Sequence, residues 1–360
     1  MRSFKCVYEE SMSGPPGTPE SRPSENRFHS PAIVVIVVAA VLGLLLFFLG
    51  MQAPVLYQGD IQPLVISSGS PEYSALTLIA GQKGFFTKYG LNVTIKDYPT
   101  GVDAVRDLLS GNSDLAYATE YVGVVFLENS TDLKIIGSTA KSDAISLVAR
   151  RDHGIISPKD LQGKTIAVPE GTQAEFYLGR YLELNGLSMS DVTIRYYVPE
   201  DLEKSIITGE SDAAIIWQPH VFFIEQQLKE NGSTWPAQGG QLFYWVTYTR
   251  DDVIRQKPEL LARYFQALSD AGQYLVQNDA GAQAAVRQQL NSSDEYFDII
   301  WEKTLFSLSL DQSMIIVMED EARWRIKNNY TGAGVIPNYI DSVSTGSLRN
   351  ASPESVNIIE

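Results

Sequence analysis

Nucleophiles and metal ligands are scarce in this chain. One cysteine, Cys6, and three histidines, His29, His153 and His220, stand among 360 residues, and none of them has the spacing of a metal site. A single cysteine makes neither a disulfide nor a cysteine-based zinc site within a monomer. The chain contains no HExxH pair, no GxSxG elbow and no GxxxxGK[ST] loop. Metalloprotease, serine hydrolase and P-loop NTPase chemistry therefore find no residues to carry them. Folding without metal, disulfide or cofactor is the expectation. The side chains that remain able to do something specific are hydroxyls, amides, carboxylates and aromatic rings grouped in short turns. These are the materials of non-covalent binding.

Composition points the same way. With 44% hydrophobic and 20% charged residues the chain is globular, and its length allows about two domains or lobes. The formal net charge is -15, from 28 Lys plus Arg against 43 Asp plus Glu. Nucleic acid is thus a poor partner, because a phosphate backbone needs a basic surface. Arg2, Lys5, Arg22 and Arg27 balance Glu9, Glu10, Glu20 and Glu25 in residues 1–51, so the whole excess of negative charge lies beyond them.

Residues 32–51 read AIVVIVVAAVLGLLLFFLGM, with no charged side chain. As a helix this run would span about 30 Å, the thickness of a bilayer's hydrocarbon core. It is expected to be a retained anchor, since a cleaved signal peptide has a shorter apolar region ending in a small-x-small site. Four basic residues precede it, and the next one after it is Lys83. The positive-inside rule then places the N-terminus in the cytoplasm and the bulk outside. Six N-x-[ST] sequons, at Asn92, Asn129, Asn231, Asn291, Asn329 and Asn350, suit such an exported surface. Residues 1–31, rich in proline and serine, read as a disordered cytoplasmic tail, and 52–61 as a spacer.

From residue 62 onward short apolar runs alternate with amphipathic stretches, the pattern of an α/β fold. Strands are expected at 64–67, 91–96, 115–118, 133–138, 145–150, 165–168, 192–197, 213–217 and 243–249, followed by a mainly helical region from Pro258. Two segments resemble each other: GFFTKYGLNVTI, a helix and LLSGNSDLAYATEY, then LNGLSMSDVTIRY, a helix and IITGESDAAIIWQP. Two lobes of like topology explain the repetition.

These segments, with DLQGKTIAVPEGTQAEF, KPELLARYFQALSDAGQYL and SLDQSMIIVMEDEARW, resemble the solute-binding proteins of ABC importers, in the nitrate, sulfonate, taurine and thiamine-pyrimidine-precursor branch. The resemblance covers about residues 62–350. It implies a type II periplasmic-binding-protein fold, two-lobed, with the hinge crossed twice: lobe one from 62–150 and 243–360, lobe two from 151–242. It also implies a small-molecule ligand in the interlobe cleft, and delivery by a monomer to an ABC permease and, through it, the cytoplasmic ATPase.

Ligands of open α/β sheets bind beyond the carboxyl ends of strands. Matching the family's motifs onto those loops favours Ser70, Glu72 and Tyr73, then Thr119, Glu120 and Tyr121. From lobe two it adds Gly171, Thr172, Gln173, Trp217 and Gln218. Ser70 and Thr172 also suit helix N-caps, and the glutamates suit helix N-termini through the dipole. The cleft loops carry Glu72, Asp103, Glu120, Glu170 and Glu200 and no Lys or Arg, which favours a neutral or cationic nitrogenous solute over a bare anion. An enzymatic role is disfavoured, because the pyrimidine-making members of this fold carry a cysteine-rich iron motif and the exported domain here has no cysteine. A sensor or adhesion module using the same fold without transport is the alternative.

Overall fold

The computed structural model describes residues 35, 36, 38–44 and 57–359. The chain falls into two compact units, Met1–Pro54 and Val55–Glu360, each taken here by itself. In the first, the expected tail and most of the expected anchor lie outside the described residues. Residues 35, 36 and 38–44 are helical, and their apolar side chains are exposed. Among the described residues no helix is long and apolar enough to cross a membrane.

The second unit holds strands β1 (Gln62–Ser68), β2 (Leu91–Asp97), β3 (Leu115–Thr119), β4 (Leu133–Ser142), β5 (Ile145–Arg150), β6 (Thr165–Val168), β7 (Thr193–Tyr196), β8 (Ala213–Trp217), β9 (Gly232–Pro236), β10 (Phe243–Arg250) and β11 (Thr304–Ser309). They form two sheets, ordered β11-β4-β10-β3-β1-β2 and β7-β6-β8-β5-β9. Each sheet has a parallel trio, β2-β1-β3 or β7-β6-β8, with an antiparallel fourth strand beside it. That fourth strand, β10 or β5, is the first the chain lays down after crossing from the other sheet. The repeated sequence is thus a repeated module.

The repeat extends to individual side chains. In the two Gly-x-Ser-Asp turns, Asp114 accepts the Val65 N–H at 3.0 Å and Asp212 accepts the Thr165 N–H at 2.8 Å. Each carboxylate ties its turn to the middle strand of its parallel trio. Arg250 donates to the Leu108 and Ser113 carbonyls, and Arg150 to those of Ile206 and Ile207. Each arginine closes off the helix end before its turn, where backbone carbonyls lack helical partners.

One boundary differs from expectation. The strand Ile145–Arg150 belongs to the second sheet, where it pairs with β8 and β9, so lobe two begins at about residue 145 and not at 151. The crossings fall at 143–144 and 237–242. Gln238, buried to 2% exposure, joins them: its Oε1 accepts the Ile145 N–H at 2.8 Å, and its Nε2 donates to the Ser142 and Gln241 carbonyls at 3.0 and 2.7 Å. Gln238→Ala would orphan these buried groups and is expected to lower unfolding free energy by about 2–4 kcal/mol; denaturant unfolding measures it, and an unchanged midpoint would remove Gln238 as the hinge tie.

The helices that matter for the site are α1 (Gly101–Leu109), α2 (Glu120–Leu127), α3 (Gln173–Leu184), α4 (His220–Leu228), α5 (Pro258–Gln277) and α6 (Gln312–Lys327). Thr100 caps α1 by accepting the Asp103 N–H at 3.2 Å. In α5, Leu260, Leu261, Tyr264, Phe265 and Leu268 are buried, the i, i+3, i+4 stripe of an amphipathic helix. Close approach explains Gly69, where a Cβ would meet the Gly101 nitrogen at 2.3 Å, and Gly101, where it would meet the Ala118 Cβ at 2.7 Å. Loop 69–70 thereby packs onto the start of α1, and the start of α1 onto β3.

Candidate functional site

A cavity of about 30 Å3 lies between the two sheets. Its walls come from both: Ser70, Tyr73, Thr119, Phe243 and Trp245 on the first side, Ile145, Thr172, Gln173 and Trp217 on the second. The volume suits one water-sized molecule, so the lobes are closed. Four aromatic rings form most of the apolar wall. Tyr73 meets Phe243 edge to face at 5.1 Å between centroids and Trp245 at 5.4 Å. No lining side chain is charged.

The polar groups divide into two kinds. Ser70 donates its hydroxyl proton to the Gly69 carbonyl at 2.6 Å, and Thr172 donates to that of Pro169 at 2.8 Å. Neither caps its helix with its side chain, and each has only acceptor lone pairs left for a guest. The Thr119 Oγ1 and the Tyr73 hydroxyl are buried and have no partner among the described residues. Both belong to residues of the cavity wall, and buried polar groups are nearly always satisfied. Burial, and after it the neighbouring Glu72, raises the Tyr73 phenol well above its usual pKa, which keeps its proton available to donate.

Six of the expected residues, Ser70, Tyr73, Thr119, Thr172, Gln173 and Trp217, meet at this cavity; Glu72, Glu120, Tyr121, Gly171 and Gln218 do not line it. Successive side chains on a strand or a helical turn diverge, and that accounts for most of the displaced ones. Gln218, next to Trp217, turns to accept the Phe222 N–H of α4 at 3.1 Å. Glu120, next to Thr119, enters the interior and accepts the Tyr244 N–H at 2.8 Å. The Tyr121 hydroxyl donates to Glu175 and accepts from Arg325, both at 3.2 Å. Glu72 is half-buried, and burial pushes its carboxyl up to about 7. Gln173 lines the cavity but its amide is already occupied, by the Tyr121 N–H at 3.2 Å and Glu321 at 2.6 Å. It ties the lobes together. Phe243 and Trp245 were missed; their i, i+2 spacing on one face of a strand was the available signal. Ile145 was missed with the lobe boundary.

Residues 72–282 match the family model described as NMT1/THI5 like. The chain belongs to the NMT1/THI5-like family. A Brucella abortus (strain 2308) protein whose name describes a binding protein is 26% identical over 211 residues, 57% of this chain and 64% of that one. The taurine-binding periplasmic protein of Escherichia coli (strain K12) is 26% identical over 200 residues, 54% of this chain and 61% of that one. The matched region thus spans less than two thirds of the curated relatives' length. Among solved structures, the alkanesulfonate-binding protein of Xanthomonas axonopodis pv. citri, bound to MOPS, superposes with a TM-score of 0.67 at 19% identity, covering 80% of this chain and 99% of that one. The fold is the two-lobed periplasmic-binding-protein fold.

Of the acidic residues expected in the cleft of this NMT1/THI5-like chain, Glu120 alone is fully buried, while Glu170 and Glu200 are exposed. Glu120 and Glu321 are fully buried, and burial raises both carboxyls, Glu120 to about 8 and Glu321, with Glu120 beside it, well above the usual range. One oxygen of each has no partner among the described residues. In both, burial favours the neutral acid over the carboxylate. Asp103 pairs with Arg106 at 3.1 Å. A groove of about 830 Å3 adjoins the cavity: Thr100 and Gly171 line the groove where Gly101 and Thr172 line the cavity. It holds Glu170 and Glu175 but also Arg106 and Arg325, two cations that a reading of the loops alone had left out.

Proposed function

We propose that this chain is a membrane-anchored, extracytoplasmic solute-binding protein that encloses a small neutral or cationic nitrogenous solute between its lobes and delivers it to an ABC permease driven by a cytoplasmic ATPase. The observation that carries the reading is the cavity walled from both sheets by four aromatic rings, with two orphaned hydroxyls and no charged side chain. A solute touching both lobes binds the closed state better than the open one, and that difference shifts the population toward closure. The neighbouring groove is its approach. Since the closed cavity holds about one water, a solute of ordinary size makes the lobes close less fully around it.

At Ser70 and Thr172 hydrogen-bond direction favours nitrogen. Ser70 and Thr172 have spent their protons on backbone carbonyls and offer only acceptors, which match N–H donors and oppose the acceptor-only oxygens of a sulfonate. The rings add stacking or cation-π attraction. Sulfonates, named for the relatives above, are the competing class, and the lining offers them no Lys or Arg. The exposed apolar helical residues 35, 36 and 38–44 and the positive-inside pattern before them support the anchor.

The test is a thermal-shift screen of the unit Val55–Glu360, which has its own core, against amines and aminopyrimidines on one side and taurine, alkanesulfonates and nitrate on the other. A ligand at 100 times its Kd stabilises the native state by about 2.7 kcal/mol. Stabilisation by the nitrogenous panel is expected. Stabilisation by the anions alone would keep the receptor and overturn its ligand class, while silence from both would count against solute capture.

A further inference from the structure

The six sequons form a distinct population among the asparagines of the second unit. Twelve asparagines lie between residues 57 and 359, six in N-x-[ST] and six outside it. All six sequon asparagines are exposed, and none of their side chains makes a hydrogen bond among the described residues. Of the other six, four are engaged: Asn185 and Asn328 donate to carbonyls one turn back at 2.8 and 2.9 Å, and Asn338 and Asn357 pair with Asp341 and Asp311. The neighbours Asn328 and Asn329 show the contrast within one dipeptide. Asn328 is held by the Trp324 carbonyl, while Asn329, in the sequon, is free and exposed.

A left-handed backbone accounts for asparagine at 291 and 329, where φ is +48° and +60°. It does not account for Asn92 on β2, an edge strand of its sheet, or for Asn129, Asn231 and Asn350. From the free amides, their exposure and the hydroxyl two residues on, we infer that these six asparagines are N-glycosylation sites and that oligosaccharide covers this unit of the protein. The inference rests on the proposed placement of the unit outside the cytoplasm. In the reaction the Asn Nδ2 forms a bond to the anomeric carbon of an oligosaccharide carried on a lipid phosphate or diphosphate. The amide loses one N–H proton, and the lipid phosphate leaves with the electron pair of the broken C–O bond. None of the six lines the cavity, so glycans leave it clear; Asn129 alone borders the outer groove.

The test is glycopeptide mass spectrometry of the full chain purified from its own cell envelope, with enzymatic release in heavy-oxygen water to mark each formerly modified asparagine. Modification at the sequon asparagines and none at Asn112, Asn185, Asn328, Asn338 or Asn357 is the expected result. Thr94→Val should abolish the mark at Asn92, leave the other five, and be rescued by Thr94→Ser. Six unmodified sequon peptides would overturn the inference. Labelling of intact cells with a membrane-impermeant lysine reagent then separates the failures: a labelled but unglycosylated chain leaves the receptor outside and the glycans absent, while an unlabelled chain overturns the placement as well.

Discussion

The double substitution Thr119→Val and Tyr73→Phe is expected to weaken solute binding roughly tenfold or more while leaving the empty protein as stable as before, or more so. Each hydrogen bond lost to the solute is worth about 0.5–1.5 kcal/mol. The two hydroxyls are buried without partners among the described residues, so deleting them breaks no described hydrogen bond and relieves the cost, about 1–3 kcal/mol, of an unsatisfied buried group. Both replacements keep shape, and the Tyr73 ring retains its contacts with Phe243 and Trp245. Calorimetric titration with a hit from the screen and thermal unfolding of the empty protein measure the two halves. A variant that binds as well as the parent, or that loses stability without solute, would show that these hydroxyls serve the fold and not a guest.

Stability is expected to fall as pH rises from about 4.5 toward 8, and Glu120→Gln should flatten that fall. Burial lifts the Glu120 carboxyl from its ordinary 4.5 to about 8. Between those values the native state holds a proton that the unfolded chain has released, so raising pH favours unfolding. The contribution is whole below the unfolded pKa and is lost as pH climbs through the folded one. The slope is about 1.4 kcal/mol per pH unit for each such group. Glu321 and Glu72 shift in the same direction and would leave a residual slope in the variant. Gln keeps an acceptor for the Tyr244 N–H and needs no proton, so at pH 8 it should gain on the order of 2–4 kcal/mol. Urea unfolding at pH 5, 6.5 and 8 reads this directly, and parallel slopes in parent and variant would refute it.

The carboxyl pair also marks where sequence reading stopped short. Glu120 stands beside Thr119 in a strand-to-helix loop, and both looked alike as cleft residues. Only the turn of the backbone sends one toward the cavity and the other inward to Tyr244, and Glu321, its neighbour, comes from 201 residues away. The inner strands of the trios were readable because strands buried on both faces leave continuous apolar runs such as AAIIW. The outermost antiparallel strands β9 and β11 leave none. β9, GSTWP, contains Gly and Pro, and β11, TLFSLS, follows a helical stretch and takes its strand form from pairing with β4. The duplicated Gly-x-Ser-Asp turns were visible as a repeat, but their purpose was not, since the partner N–H groups of Val65 and Thr165 lie 49 and 47 residues away. The cations of the groove were hidden for a related reason. Arg325 reaches the groove from α6, far outside the loops whose composition had been weighed.

The central claim is that solute enters between the lobes and rests against the aromatic wall. Trp217 and Trp245 belong to that wall, one from each sheet, so their emission is the closest reporter. Titration of the chain with an aminopyrimidine and, separately, with taurine, followed by tryptophan fluorescence in the parent and in Trp217→Phe, tests the claim most directly. A saturable change with the aminopyrimidine, reduced in Trp217→Phe and absent with taurine, is the predicted result. A saturable change with taurine alone, or binding that leaves the emission of both proteins unaltered, would contradict the account.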